Sequence, residues 1–127
     1  MVVNQGDIYW GPSDEQYGSE TGNNHPHVII QDDVLNRNSI NTVVVCRLTS
    51  NLKQAKAPGN VLLEAGEANL PKQSVVVVSQ ISTLDQNQLG EYIGSLTDQR
   101  IEQILAGIHF LQLMTEHHEQ EKEQRVR

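Results

Sequence analysis

The chain has 127 residues and a mass of 14.2 kDa, a size that suits one domain and leaves no room for a second core. Sixteen acidic residues against nine basic ones give a formal charge of -7 and a pI near 5.1, which excludes a protein that coats nucleic acid through its overall charge. The lone Cys46 excludes an internal disulfide framework, no apolar run approaches the roughly 20 residues of a spanning helix, and the opening MVVNQGD has no basic n-region, so a cytoplasmic protein without membrane contact is expected.

In chain order, Gln5 to Trp10, Pro26 to Asp32, Thr42 to Leu48, Asn60 to Ala65 and Ser74 to Gln80 are short runs rich in Val, Ile, Tyr and Trp, and each reads as a strand. VIIQ, VVVC and VVVVSQ are nearly continuous rather than alternating, which predicts strands covered on both faces. Between the first two strands, Gly11 to His25 is dense in glycine and small polar residues and too long for a tight hairpin; loops of that length in a small domain are usually functional or disordered. A second polar loop, Ser50 to Gly59, carries Lys53, Lys56 and a Pro58-Gly59 turn. After Leu96 the period changes: Ile101, Ile104, Leu105, Ile108 and Leu111 recur at helical spacing behind Thr97, a suitable N-cap. From Thr115 the chain turns almost wholly polar, which predicts a domain over residues 1–114 and a helical extension or tail over 115–127. The predicted architecture is mainly β, a small twisted or closed sheet with a C-terminal helix packed on it.

Charge is unevenly placed. The first 36 residues hold six acids and no Lys or Arg, whereas Arg37, Arg47, Lys53, Lys56 and Lys72 follow with only Glu64 and Glu67 among them, so a local cationic patch can form on an acidic body. P-loop, dinucleotide-binding, nucleophile-elbow and paired-cysteine signatures are all missing from the sequence. His117 and His118 are adjacent and diverge on a helix, a poor chelate, and Cys46 in an apolar run reads as a buried small hydrophobe. Ser19, Glu20, His25, Thr49 and Ser50 combine a carboxylate, an imidazole and hydroxyls near strand ends beside the two polar loops, where a rigid sheet presents reacting groups.

Taken in order, QGDIYW, GSETG, HPHVIIQDD with Asn36-Arg37, TVVVCRLTSNL and PGNVLLEAGEANLPKQSVVVVSQISTLD resemble the MazF/PemK family of toxin endoribonucleases, from about Gln5 to Leu111. The resemblance implies a small SH3-like β-barrel with a C-terminal helix, acting as a homodimer in the cytoplasm and held inactive by an acidic antitoxin. It implies metal-independent, sequence-specific cleavage of single-stranded RNA, with no cofactor, by attack of the neighbouring 2′-hydroxyl to leave a cyclic phosphate and a 5′-hydroxyl. Within Gly18-Ser19-Glu20 it implicates the carboxylate in function and the serine in RNA contact; Thr49 matches the family threonine at the end of the central strand. Glu20, His25 and Thr49 are thus the candidate catalytic residues, and Ser19, Ser50, Lys53, Lys56 and Gln80 the candidate RNA-binding ones.

One departure stands out: His25 precedes Pro26 where the family usually has its catalytic arginine. Arginine offers a permanent charge and a bidentate fork, whereas an imidazole, titrating near 6.5, is the better proton carrier. Two other functions compete with the ribonuclease. A non-catalytic RNA-binding or antitoxin-binding module would be a member disarmed at His25. A gyrase inhibitor of the CcdB kind would act through a C-terminal tryptophan, and the sole tryptophan here is Trp10.

Overall fold

The computed structural model describes residues 2–12, 24–38 and 40–126, with side chains through residue 116. Its elements run β1 (Asp7–Gly11), β2 (His25–Ile29), α1 (Asp33–Asn36), β3 (Thr42–Thr49), β4 (Val61–Leu63), β5 (Ser74–Asp85), β6 (Tyr92–Ser95) and α2 (Asp98–Val126), with short 3₁₀ turns at Leu52–Lys56, Glu67–Asn69 and Gln86–Gln88. The strands form a single antiparallel sheet in the order β4-β5-β3-β2-β1-β6 that curls into a half-barrel.

Register explains why the Val-rich runs lack a strict alternation. Ile8, Val28 and Cys46 stand side by side across β1, β2 and β3, and with Leu48, Leu63, Val76 and Ile104 they form the core on which α2 packs. Successive residues point to opposite faces of a strand, so Tyr9, Ile29 and Val45 point the other way and bury themselves with Val3, Val43 and Leu89. Both faces of β2 and β3 are therefore covered, as their sequences predict. Opposite Arg47 the ladder breaks: Cys46 pairs with Ile81 and Leu48 with Val76, leaving Val77, Val78, Ser79 and Gln80 against a single residue. A bulge of this kind bends the strand and sharpens its twist, and here it turns β5 from the exposed outer stretch into the core.

The curl brings the two edges of the sheet together. Asn69, in the turn after β4, donates from its side chain to the Ile93 carbonyl of β6 at 3.2 Å. Gly94 is required there, because a Cβ would come within 2.1 Å of the Ala68 carbonyl oxygen. Arg100 of α2 grips Glu67 through two hydrogen bonds, 2.7 Å and 3.2 Å, and so ties the same turn to the helix. Burial would raise the Glu67 carboxyl, but the bonds from Arg100 and the Glu64 backbone, with the Arg100 charge, hold it below its usual value.

Helix α2 begins where capping chemistry predicts. The Thr97 hydroxyl accepts from the Arg100 backbone N–H at 3.3 Å, and the Thr97 carbonyl takes the Ile101 N–H at 3.0 Å. The backbone stays helical past Met114 to Val126. Among the described residues no helix is long and apolar enough to cross a membrane.

Candidate functional site

At one end of the half-barrel, the ends of β1 and β3 and the starts of β2 and β5 surround an open cleft of about 260 Å³. His25 and Pro26 open β2 on one wall, Thr49 and Ser50 close β3 on another, and Trp10, Lys72 and Ser74 complete it. Neighbouring strands in an antiparallel sheet bring the start of one beside the end of the next. Residues 24 positions apart, His25 and Thr49, therefore share a cavity once β2 pairs with β3.

The Thr49 hydroxyl oxygen accepts from the Asn51 backbone N–H at 3.2 Å, so its own proton is available to donate into the cleft. Ser50 is exposed on the rim. Lys72 adds a cationic side chain, and Trp10, only partly buried, offers an aromatic face at the mouth. Hydroxyl donors, a cation and an aromatic surface around an open cavity suit a phosphate with a base attached.

Behind the cleft lies a nearly enclosed polar group that the apolar sequence around it conceals. His25 is 9 % exposed and Arg47 7 %. Arg47 stands in register with His27, and its Nη2 lies 3.1 Å from His25 Nε2. The His27 Nδ1–H donates to the His25 carbonyl at 2.8 Å. Burial is the main reason His27 is pushed down to about 4, with repulsion from the neighbouring His25 and Arg47 adding to it, so that ring is neutral at pH 7. Gly11, opposite His25 on β1, leaves room for this ring: a Cβ would lie 2.7 Å from His27 Nδ1.

Of the candidates read from sequence, His25, Thr49 and Ser50 meet at the cleft. Lys53 and Lys56 are exposed on the 3₁₀ turn that follows β3 and do not line it. Gln80 sits in the β5 bulge, away from the cleft lining, with a buried Oε1 that has no hydrogen-bond partner among the described residues. Ser19 and Glu20 lie outside the described residues. Lys72, Trp10 and Arg47 are additions. An arginine inside TVVVCRLT was the visible signal for Arg47, while its partner, 22 residues away, appears only with the strand pairing. Cys46 is fully buried, its Sγ donates to the Val77 carbonyl, and burial pushes the thiol up to about 12, so it is packing and not a nucleophile.

Residues 4–111 match the family model described as PemK-like, MazF-like toxin of type II toxin-antitoxin system. The chain is 37 % identical over 103 residues to Endoribonuclease MazF of Staphylococcus saprophyticus, covering 81 % of this chain and 85 % of that protein. It is 33 % identical over 104 residues to Endoribonuclease EndoA of Bacillus subtilis, covering 82 % and 89 %. Among solved structures, MazF of Deinococcus radiodurans superposes with a TM-score of 0.69 at 20 % identity, covering 87 % of this chain and 96 % of that one. A mycobacterial endoribonuclease in complex with its cognate antitoxin does so with a TM-score of 0.61 at 23 % identity, covering 84 % and 89 %.

Proposed function

The chain belongs to the PemK-like, MazF-like family of toxins of type II toxin–antitoxin systems, and from that premise we propose that it is an endoribonuclease that cuts single-stranded RNA at the cleft between β2 and β3. The observation that carries the reading is the convergence of His25, Thr49, Ser50 and Lys72 on one open cleft of an otherwise acidic protein. In this reading a new O2′–P bond forms as the P–O5′ bond breaks. The 2′-hydroxyl proton passes to the Glu20 carboxylate, and O5′ departs as an alcohol after taking a proton from water. Thr49 and Ser50 donate to the non-bridging oxygens, where negative charge grows in the transition state, and Lys72 holds the phosphate. Trp10 offers a stacking surface to an adjoining base. Lys53, Lys56 and Gln80 extend the RNA-binding surface beyond the cleft, and Ser19 contacts RNA as the resemblance implies.

The protein acts as a homodimer in the cytoplasm and is silenced by an acidic antitoxin segment that occupies the RNA-binding groove. Exposed apolar side chains on the sheet support a protein partner, Ile81 on the outer stretch of β5 and Ile40 beside β3 among them. Residues 1–114 make up the folding unit, with 115–127 as an extension.

Cleavage of a mixed single-stranded RNA by the purified protein in excess chelator tests the reading. The products expected are a 2′,3′-cyclic phosphate and a 5′-hydroxyl, identified by mass spectrometry. Position 25 favours a second reading, since the resemblance expects arginine there: a module that binds RNA and leaves it whole. The same experiment gives retention of RNA without products in that case.

A further inference from the structure

His25 and Arg47 form a contact whose polarity is decided by chemistry alone. A guanidinium has no lone pair to offer, so Arg47 Nη2 donates and His25 Nε2 accepts across 3.1 Å. The imidazole in this arrangement is neutral and carries its proton on Nδ1. We propose that Arg47 is a positioning residue of the cleavage site, fixing His25 as a neutral Nδ1–H donor and supplying from β3 the permanent charge that the resemblance places on β2. This inference rests on the ribonuclease reading and deepens it.

Three features support the assignment. Arg47 does not line the cleft whereas His25 does, so the 3.1 Å contact gives Arg47 a route to the reaction through the imidazole. A ring bound by a cation at one nitrogen is more polarised at the other, which strengthens Nδ1–H as a donor to the oxygens of a pentacoordinate phosphorus. The backbone at His25 is held too, by the His27 Nδ1–H, in a space that Gly11 leaves open. Two buried side chains thus fix the ring and the carbonyl of one residue at the cleft wall. His25 in this role stabilises charge and transfers no proton. Among the described residues the charged or titratable groups around it are Arg47 on β3, His27 on β2 and Lys72 across the cleft.

The first test needs no variant. In the full chain labelled with ¹⁵N-histidine, the His25 resonances at pH 7 are expected to show a protonated Nδ1 and an unprotonated Nε2. An Nε2–H tautomer or an imidazolium at that pH overturns the proposal. Kinetics supply the second test: Arg47→Met is expected to lower kcat by roughly 10²-fold, the usual effect of losing a transition-state donor, with KM changed by less than about 3-fold. Adding His25→Arg to that variant returns a cation to the cleft wall and should recover most of the lost kcat. If Arg47 serves only the fold, its replacement lowers the melting temperature and His25→Arg rescues nothing, which refutes the role. Should Arg47→Met fail to fold, the labelled native protein still decides. A native protein that cuts no RNA refutes the ribonuclease reading itself, whereas cutting with the wrong tautomer or without rescue refutes only this inference.

Discussion

His25 and His27 are two residues apart on one strand and face the same side, yet their environments give them different work. His27 is 4 % exposed, and its ring is pushed from 6.5 down to about 4, chiefly by burial. The unfolded chain therefore binds a proton on this residue at a pH where the folded one does not. Stability from the neutral ring is fully present above pH 6.5 and is lost as pH falls through 4, and a difference of this size is worth about 3 kcal/mol. Urea unfolding at pH 7 and pH 4 should show that loss in the native protein and a much smaller one in His27→Gln; equal losses would contradict the assignment. For His25 the expected effect is chiefly on rate: His25→Ala should slow cleavage roughly 10²- to 10³-fold in a domain that still folds, at a lowered melting temperature because Arg47 loses a buried partner. Rates within a few-fold of the native protein would remove His25 from the site and leave Glu20 and Thr49. At this scale the sequence showed which residue types could react, and the place of His25 and Thr49 at strand ends was enough to bring them together. Arg47 could not be placed in the same way, because its contact depends on a register that only strand pairing defines.

The elements follow their local chemistry where it is strong and depart from it where pairing partners decide. Thr97 starts α2 as its capping chemistry predicts. The strand Tyr92–Ser95 has no clear sequence signal, since YIGS is short and interrupted by a glycine; it exists because β1 offers it an edge and because Gly94 admits the turn at Ala68. β5 runs on to Asp85, beyond the predicted end at Gln80, because Thr42 to Cys46 of β3 continue the ladder past the bulge. Helix packing yields a test in which two effects oppose each other. Gly107 sits inside α2, where alanine would gain about 1 kcal/mol of helix propensity, but a Cβ there would meet the Gly59 carbonyl oxygen at 2.1 Å. Gly59 is itself left-handed, with φ of +88°, so that backbone cannot easily give way. Gly107→Ala should therefore destabilise the protein by about 1–3 kcal/mol, and a rise in melting temperature would show that the helix moves freely against the barrel. Beyond Met114 the expectation is the reverse. Thr115 and Glu116 are exposed, and the sequence after them has little to bury, so truncation after Met114 should shift the melting temperature by only a few degrees. A large fall would show that the extension packs on a partner.

On the scale of the whole molecule, the RNA chemistry proposed for this acidic chain lies at one end of a half-barrel whose edges are joined through Asn69 and whose turn at Glu67 is tied to α2 by Arg100. The fold was legible because the Val-rich runs and the helical repeat after Thr97 allow few arrangements other than a covered antiparallel sheet with one helix against it. The candidate site was legible only as residue types; the resemblance to a toxin family is what the match over residues 4–111 bears out. Assembly is a property of the surface, and the proposed homodimer predicts sedimentation at twice the monomer mass at micromolar concentration; a monomer alone would contradict it. The central claim is the chemistry at the cleft. Its most direct test is to incubate the native protein, and His25→Ala beside it, with a long mixed single-stranded RNA in excess chelator, and to read the ends of the fragments. The account predicts recurrent short cleavage sequences with cyclic phosphate and 5′-hydroxyl ends from the native protein and at least about 10²-fold slower cutting by the variant. Intact RNA after incubation with native protein that is folded and free of antitoxin would contradict it.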